Sequence, residues 1–328
     1  MADLSETSQG RLPVFILFGP TGSGKTEILT RLFITPTDPE PPCGVEIVSA
    51  DSMQVYRGMD IGTAKPGPPE REKIPHHLID IRNPDEQFTA GDFVRLAGEC
   101  CAAIIRRGKL PVVSGGTGFY LKNFILGLPE APPADPGIRG ALKAEFRSRG
   151  AAALMEELQA VDPVSAGRIH IHDEYRLLRA LEVYRLSGRP LSGYSRFGRD
   201  PQDRFRFFII GLERPREELY RRINERSAAM FRAGLPAEAE ALWEKGYSPR
   251  DPGLRAIGYR EFFIEDTPGT YRFSRDAASV EALTAQNSRR YAKRQISYFA
   301  SLPGVKWMSA DDPQGIRTEL QNFIRGGV

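Results

Sequence analysis

Hydrophobic positions along this 328-residue chain follow two alternating patterns. Solid apolar runs, "PVFILFGP" (13–20), "VEIVSAD" (45–51) and "LPVVSGGTG" (110–118), are short and rich in β-branched residues, and each stops at Gly, Pro or a polar residue. Such runs are buried on both faces and read as parallel strands entering loops. Between them apolar residues recur at three- and four-residue steps. Ile28, Leu29, Leu32 and Phe33 do so in "KTEILTRLF", and "TAGDFVRLAGECCAAIIRRG" (89–108) reads as an amphipathic helix with Thr89 as N-cap and Gly108 beyond its end. Strands alternating with helices predict an α/β fold, a parallel sheet with helices on both faces.

The alternation breaks at "GLPEAPPADPG" (127–137), where four prolines in eleven residues mark a linker. Residues 138–188 then read almost wholly as helix, in "IRGALKAEFRSRG", "AAALMEELQAVD" and "EYRLLRALEVYRLSG". "RFRFFIIGLER" (204–214) returns to a strand pattern, and further helices follow in "REELYRRINERSAAMFRAG", "PAEAEALWEKG" and "NSRRYAKRQISYFASL". A core of 1–130 and 204–328, with an all-helical insertion over 131–203, accounts for this order. There is no internal repeat, and compositional bias is confined to proline-rich turns at 36–42 and 127–136.

Apolar content of 41% and charged content of 27% fit a globular protein with a substantial core. No apolar run approaches the roughly 18 residues of a membrane span. "MADLSETSQGRLP" carries no apolar signal core, so the expected location is the cytoplasm, without a membrane partner. Cys43, Cys100 and Cys101 show neither disulfide-framework nor zinc spacing and read as reduced thiols. Net charge is only +3, but arginines cluster from Arg168 to Arg226 and in "SRRYAKRQ". Either a solvated face or a polyanion surface has that pattern.

"GPTGSGKT" (19–26) completes the G-x-x-x-x-G-K-[ST] pattern between a strand and a helix, which is the context a phosphate loop requires. Gly19, Pro20, Thr21, Gly22, Ser23 and Gly24 form the loop. Its glycines let backbone N–H groups turn inward, the helix N-terminus adds positive potential, Lys25 reaches phosphate oxygens, and the Thr26 hydroxyl suits Mg²⁺. A nucleotide-splitting enzyme of this class normally has a second acidic residue after another apolar strand. Here the third strand ends in Ser114-Gly115-Gly116-Thr117, without a carboxylate. Asp51 is the one acid at a strand end. It either faces the ligand crevice together with Thr117 and Lys25 or caps a local turn.

The segments "GPTGSGKT", "SADSMQVYRGMDIGTAKP", "PHHLIDI", "FTAGDF", "GGTGFYLK", "ADPGIR", "RALEVYRLSGRPLS", "AIGYRE" and "AKRQ" resemble those of the tRNA dimethylallyltransferases, in order, from about Val14 to Trp307. The resemblance implies a P-loop NTPase-like core that transfers a dimethylallyl group from dimethylallyl diphosphate to the N6 amine of an adenosine. That adenosine lies 3′-adjacent to the anticodon in tRNAs reading codons that begin with U. The loop would then stabilise a departing diphosphate, which agrees with the missing second acid. By the same resemblance Asp51 is the general base, Thr117 a polar contact at the reacting groups, and Arg226 a diphosphate ligand with Arg222 as a further candidate. Lys25 and Thr26-bound Mg²⁺ would take up charge on the leaving group.

The resemblance also places tRNA contacts at Asp51, Ser52, Met53, Gln54 and Thr117, at Arg139, and at Tyr175, Arg176 and Arg179. Further contacts fall at Arg255, Gly258, Tyr259 and Arg260, and in the helix from Lys293, Arg294 and Gln295 to Ala300. The target base must leave the anticodon-loop stack, so cationic and stacking side chains are expected along its route. Arg290, Lys293, Arg294 and Ser297 share one helical face. His76 and His77 have no ligand-type partners in the sequence and read as structural.

Two departures stand out. The segment 33–44 is long and proline-rich, which suggests a surface loop, and the chain ends soon after Trp307, without the zinc-finger extension of eukaryotic relatives. That ending suggests a bacterial or organellar type. An adenylate isopentenyltransferase acting on free AMP, ADP or ATP is the nearest alternative, but such enzymes lack much of the helical insertion. A P-loop kinase or NTPase switch needs a second Mg²⁺-binding acid and a base-recognition motif, and neither is found. A catalytically dead RNA-binding protein would not need Lys25, Thr26, Asp51 and Thr117 together. Nothing in the chemistry requires more than a monomer.

Overall fold

The computed structural model describes residues 11–34, 43–195 and 204–326; most of the 33–44 loop lies outside them. Two compact units emerge, one formed by residues 1–125 and 201–328 and the other by residues 126–200.

The larger unit is built on the strands β1 (Leu12–Phe18), β2 (Val45–Ser49), β3 (His76–His77), β4 (Leu110–Gly115), β5 (Phe205–Glu213) and, nearer the C-terminus, Val305–Ser309. Its first helices are α1 (Lys25–Phe33), α2 (Pro68–Lys73), α3 (Ala90–Arg106) and α4 (Gly118–Leu126). After β5 come α8 (Arg216–Arg232), α9 (Leu235–Glu244), a small antiparallel hairpin β6 (Phe263–Thr267) and β7 (Thr270–Phe273), and α10 (Ala277–Phe299). The strand at 305–309 is β8, and α11 (Pro313–Ile324) closes the order. The six strands pair in parallel throughout, in the order β3-β2-β4-β1-β5-β8. The chain leaves β1 for β2 on one side and later returns to β5 on the other, so the order reverses at β1. The crevice at the carboxyl end of that strand is where a parallel sheet receives ligands.

Burial explains the register. Val14 to Phe18 are fully buried because helices cover both faces of β1. On one face Ile28, Leu29 and Leu32 of α1 and Ile316, Leu320 and Phe323 of α11 meet Phe15, Leu17, Val112 and Ile210. Each such side chain contributes about 2 kcal/mol on burial, which fixes the helix following the phosphate loop. Helix α3 is capped as its sequence predicts. The Thr89 hydroxyl accepts from Asp92 N, and the Asp92 carboxylate takes the Thr89 amide in return.

The smaller unit contains α5 (Pro136–Val161), α6 (Pro163–Ala166) and α7 (Glu174–Ser187) around Leu142, Leu154, Leu158, Leu177 and Leu181. Gly150 (φ 79°) interrupts α5 at the point where the sequence divides into two helical stretches. Among the described residues no helix is long and apolar enough to cross a membrane.

His76 and His77 serve the sheet edge. His76 Nδ1 lies 2.7 Å from Ile74 O and His77 Nε2 lies 2.7 Å from Glu46 Oε2. Glu46 is buried on β2 and also receives Arg107 (2.5 Å) and Lys109 (3.1 Å). Burial alone would raise its pKa, but hydrogen bonds from Arg107, His77 and Lys109 override that and hold it down at about 2. Because the folded value lies below the ordinary one, the resulting stability is present above about pH 4.5 and is lost as pH falls toward about 2. Glu46→Gln should therefore cost about 1–3 kcal/mol at neutral pH, at the low end for a broken buried pair because its partners are part-exposed. In urea unfolding the gap from wild type should narrow between about pH 6 and pH 3; a gap independent of pH would contradict this assignment.

Candidate functional site

The phosphate loop joins β1 to α1. Gly22 (φ 82°) and Gly24 (φ 99°) occupy left-handed backbone, which a side chain would strain. The amides of Gly24, Lys25 and Thr26 make no hydrogen bond among the described residues, as expected for the first turn of a helix, and they form a ready anion site. Lys25 Nζ donates to Gly19 O (2.8 Å) and Pro20 O (3.1 Å). Its pKa is lowered to about 8, chiefly by desolvation and then by the Arg226 guanidinium, with the Asp51 carboxylate working in the opposite direction. The Thr26 hydroxyl is exposed at the mouth of the loop. Ser23 differs from the other loop residues: its amide closes a turn onto Pro20 O and its side chain is buried without a partner.

Arginines hold the loop from behind. Arg226 Nη1 donates to the Thr21 hydroxyl (3.3 Å) and Arg222 Nε to Gly22 O (3.1 Å). Arg214 Nε reaches Ser23 O (3.3 Å) and is itself anchored by Glu218 and Asp311. Arg222 and Arg226 are one turn apart on α8, which explains their common target. Arg214 precedes the helix and was not singled out from sequence; its place after the strand "FIIGLE" was the only available signal.

Asp51 and Thr117 follow β2 and β4, which are adjacent strands. Past the regular ladder Ala50 N bonds Ser114 O (2.8 Å) and Thr117 N bonds Ala50 O (3.1 Å), bringing the two residues together. Ser52 N donates to Thr117 Oγ1 (2.9 Å). Asp51 does cap a turn, since its Oδ1 accepts from Met53 N (2.9 Å) and Gln54 N (3.4 Å). Its Oδ2 has no hydrogen-bond partner among the described residues, so the two readings of Asp51 are compatible. Its charge raises the proton affinity of both Lys25 and Arg226, which places all three in one electrostatic neighbourhood. Burial lowers the pKa of Arg226, again with Asp51 opposing. The loop after Asp51 is tied down by hydrogen bonds. Gln54 spans from Ser49 Oγ to Thr63 O and Ala64 O, and the Glu238 carboxylate gathers the amides of Asp60, Ile61 and Gly62.

Tyr291 and Gln295, on the inner face of α10, complete the pocket. Gln295 is 5% exposed and bonds Thr21 N and Gly116 O. On the outer face Arg290, Lys293, Arg294, Ser297 and Tyr298 line an open groove of about 600 Å³.

Three positions expected to touch RNA are buried. Gln295 points inward, away from Lys293 and Arg294, because the helical repeat carries it to the opposite side. Tyr259 is fully buried with its hydroxyl between Glu238 and Gly62 N, where its ring is needed to fill the core. Gly258 is likewise buried, its amide donating to Glu261. Arg255 and Arg260 are exposed. In the smaller unit Arg139 and Arg179 converge on Glu182, a fully buried carboxylate, while Tyr175 (68% exposed) lies beneath the Arg139 guanidinium, 5.5 Å from it, and Arg176 points outward beside Asp173. Among the described residues there is no group of three or more His, Cys, Asp or Glu suited to a metal.

A family model described as IPP transferase matches residues 54–302. The tRNA dimethylallyltransferase of Geobacter sulfurreducens is 46% identical over 296 residues, 89% of this chain and 90% of that protein. The solved tRNA isopentenylpyrophosphate transferase of Bacillus halodurans superposes with a TM-score of 0.64 at 34% identity, covering 95% of this chain and 97% of that one. A eukaryotic dimethylallyltransferase, solved acting on tRNA, shares the fold with a TM-score of 0.76 at 24% identity, covering 96% and 80%. Sequence, fold and the placement of the phosphate loop thus agree, and the chain belongs to the IPP transferase family, alongside the tRNA dimethylallyltransferases.

Proposed function

We propose that this enzyme transfers a dimethylallyl group from dimethylallyl diphosphate to N6 of the adenosine 3′ to the anticodon, in tRNAs reading codons that begin with U. The observation that carries this reading is the convergence of Lys25, Arg226 and Asp51 at the carboxyl end of the sheet, where β4 ends in Ser114-Gly115-Gly116-Thr117 without the second carboxylate of a nucleotide-splitting enzyme. Such a site can hold a diphosphate and accept a proton, but it lacks the usual equipment for splitting a nucleotide. The exposed Tyr175 and Arg176 and the cationic groove on α10 favour an RNA acceptor over a free nucleotide. Every residue named comes from one chain, so a monomer suffices, and a tRNA substrate points to the cytoplasm.

In the reaction the C1–O bond to diphosphate breaks as the N6–C1 bond forms. The N6 proton passes to Asp51, whose Oδ1 is fixed by the turn while Oδ2 accepts. Thr117 orients the amine. An adenine amine is a weak nucleophile because its lone pair is delocalised, so accepting its proton during attack lowers the barrier. The bonding electrons leave with diphosphate, and Lys25, Arg226 and the loop amides stabilise the charge that develops there. Mg²⁺ fits the residues present. Thr26 offers a hard hydroxyl oxygen, and with no carboxylate cage the ion would take its remaining ligands from diphosphate and water. When bound, it would further neutralise the leaving group.

Asp51→Asn keeps the turn-capping oxygen and removes the base. Single-turnover transfer of labelled donor to an anticodon stem-loop should fall about 10²- to 10⁴-fold, with stem-loop affinity nearly unchanged; a loss under tenfold would contradict the assignment. Lys25 supplies a pH test. Its ammonium is charged below about pH 8 and loses its proton above that, whereas bound diphosphate favours the charged form. The KM for donor should therefore rise above about pH 8, with a slope approaching tenfold per pH unit. A flat KM profile between about pH 7 and pH 9.5 would contradict this.

A further inference from the structure

In the segment "SRRYAKRQ" Arg290, Lys293 and Arg294 are exposed, Ser288, Arg289 and Tyr291 are half-buried, and Ala292 and Gln295 turn inward. Gln295 is the only one of the run's polar side chains that is buried, and both ends of its amide are used. Oε1 accepts from Thr21 N at 2.9 Å, inside the phosphate loop, and Nε2 donates to Gly116 O at 2.7 Å, at the end of β4 beside Thr117. An N–H on one side and a carbonyl on the other fix the orientation of the amide. The fit is close: a Cβ on Gly116 would lie 2.7 Å from Nε2, so a side chain there would displace the Gln295 amide. Tyr291 lies one turn earlier on the same face, half-buried; burial and then the Asp51 carboxylate raise the pKa of its hydroxyl, with Gln295 and Thr117 among the groups that oppose them. Packing prevents the helix from shifting. Ala292 is fully buried against Leu219 and Ile223, and Phe299 meets Phe18 at 4.6 Å between ring centroids.

Resting on the function proposed above, we infer that the inner face of α10 is a positioning element for the transfer. Gln295, assisted by Tyr291, sets the spacing between the loop that carries the leaving diphosphate and the threonine beside the acceptor amine. Neither residue needs to touch the RNA. The two faces of one helix thus divide the work, the outer meeting the RNA backbone and the inner fixing the two loops between which the alkyl group moves. Displacing reacting groups by about 1 Å costs on the order of 10²-fold in rate, and a direct bridge between the loops guards against such a displacement. An apolar residue of similar size at 295 would leave a loop amide and a strand-end carbonyl unpaired.

The test compares full-length wild type with Gln295→Leu, Tyr291→Phe and, as a reference for a lost RNA contact, Lys293→Ala. Stem-loop Kd, binding of inorganic diphosphate by calorimetry, donor KM and kcat are measured for each. Gln295→Leu should lower kcat about 10- to 100-fold and weaken diphosphate binding, with stem-loop Kd within about twofold of wild type. Tyr291→Phe, which removes only a hydroxyl and should fold normally, should lower kcat about 3- to 10-fold without changing stem-loop Kd. Lys293→Ala should instead weaken stem-loop binding. If stem-loop Kd weakens in step with kcat in Gln295→Leu, the residue is an RNA contact and the inference fails. It also fails if both inner-face variants match wild type, or if Gln295→Leu does not fold and Tyr291→Phe matches wild type. A wild-type protein that binds diphosphate but transfers nothing to the stem-loop would refute the proposed reaction, and diphosphate binding by the variants would still decide whether Gln295 organises the loop.

Discussion

A phosphate loop must keep several amides free for a ligand and is therefore held in shape through its other polar groups, the buried Ser23 hydroxyl excepted. That constraint organises the larger unit. Gly19 O and Pro20 O are taken by Lys25, Gly22 O by Arg222, Ser23 O by Arg214, the Thr21 hydroxyl by Arg226 and the Thr21 amide by Gln295. These partners come from α1, from β5 and α8, and from α10, so the loop is tied to elements that lie almost three hundred residues apart in sequence. The sheet order makes this possible, because β1 sits between β4 and β5 and elements on either side reach its end.

Electrostatics follow from the same geometry. Burial behind the loop desolvates both Lys25 and Arg226, and the Arg226 guanidinium adds to the cost at Lys25, so both hold their protons less firmly than usual. An arriving diphosphate relieves both penalties, and relieves them further as charge builds on the leaving oxygen. Asp51 is the carboxylate that opposes this lowering at both groups. It is positioned by a turn of its own making, which keeps it from collapsing onto the cations.

Much of this was legible in the sequence. Buried parallel strands announce themselves as solid apolar runs, so β1, β2, β4 and β5 were readable, as were the capped helix α3 and the division of α5 at Gly150. The loop was readable because its spacing is a backbone requirement. By contrast β3 is only two residues long, and β8 is a half-exposed edge strand whose "VKWMS" pattern carries no alternation; pairing with neighbours, not local preference, makes both of them strands. The hairpin β6–β7 is short and mostly exposed, whereas α11 does carry a local signal, with Ile316, Leu320 and Phe323 at helical spacing behind Asp312 and Pro313. Within the site, the loop motif and the strand ends pointed to Lys25, Asp51 and Thr117, and the resemblance alone to Arg226, but direction along a helix did not follow from a motif. Gln295 sits among cationic residues in sequence and faces the other way in space. Arg214 and Tyr291 had no motif of their own, and only the fold brings them to the pocket.

The central claim is that the loop at 19–26 holds a leaving diphosphate and not a nucleotide to be split. Dimethylallyl diphosphate labelled with ¹⁸O at the bridging position between carbon and phosphorus tests this directly, in a reaction with an anticodon stem-loop and ATP present together. The account predicts that all the label appears in released diphosphate, that the alkyl group appears on adenosine N6, and that ATP remains intact. Label retained in dimethylallyl alcohol, or ATP consumed in step with turnover, would contradict it.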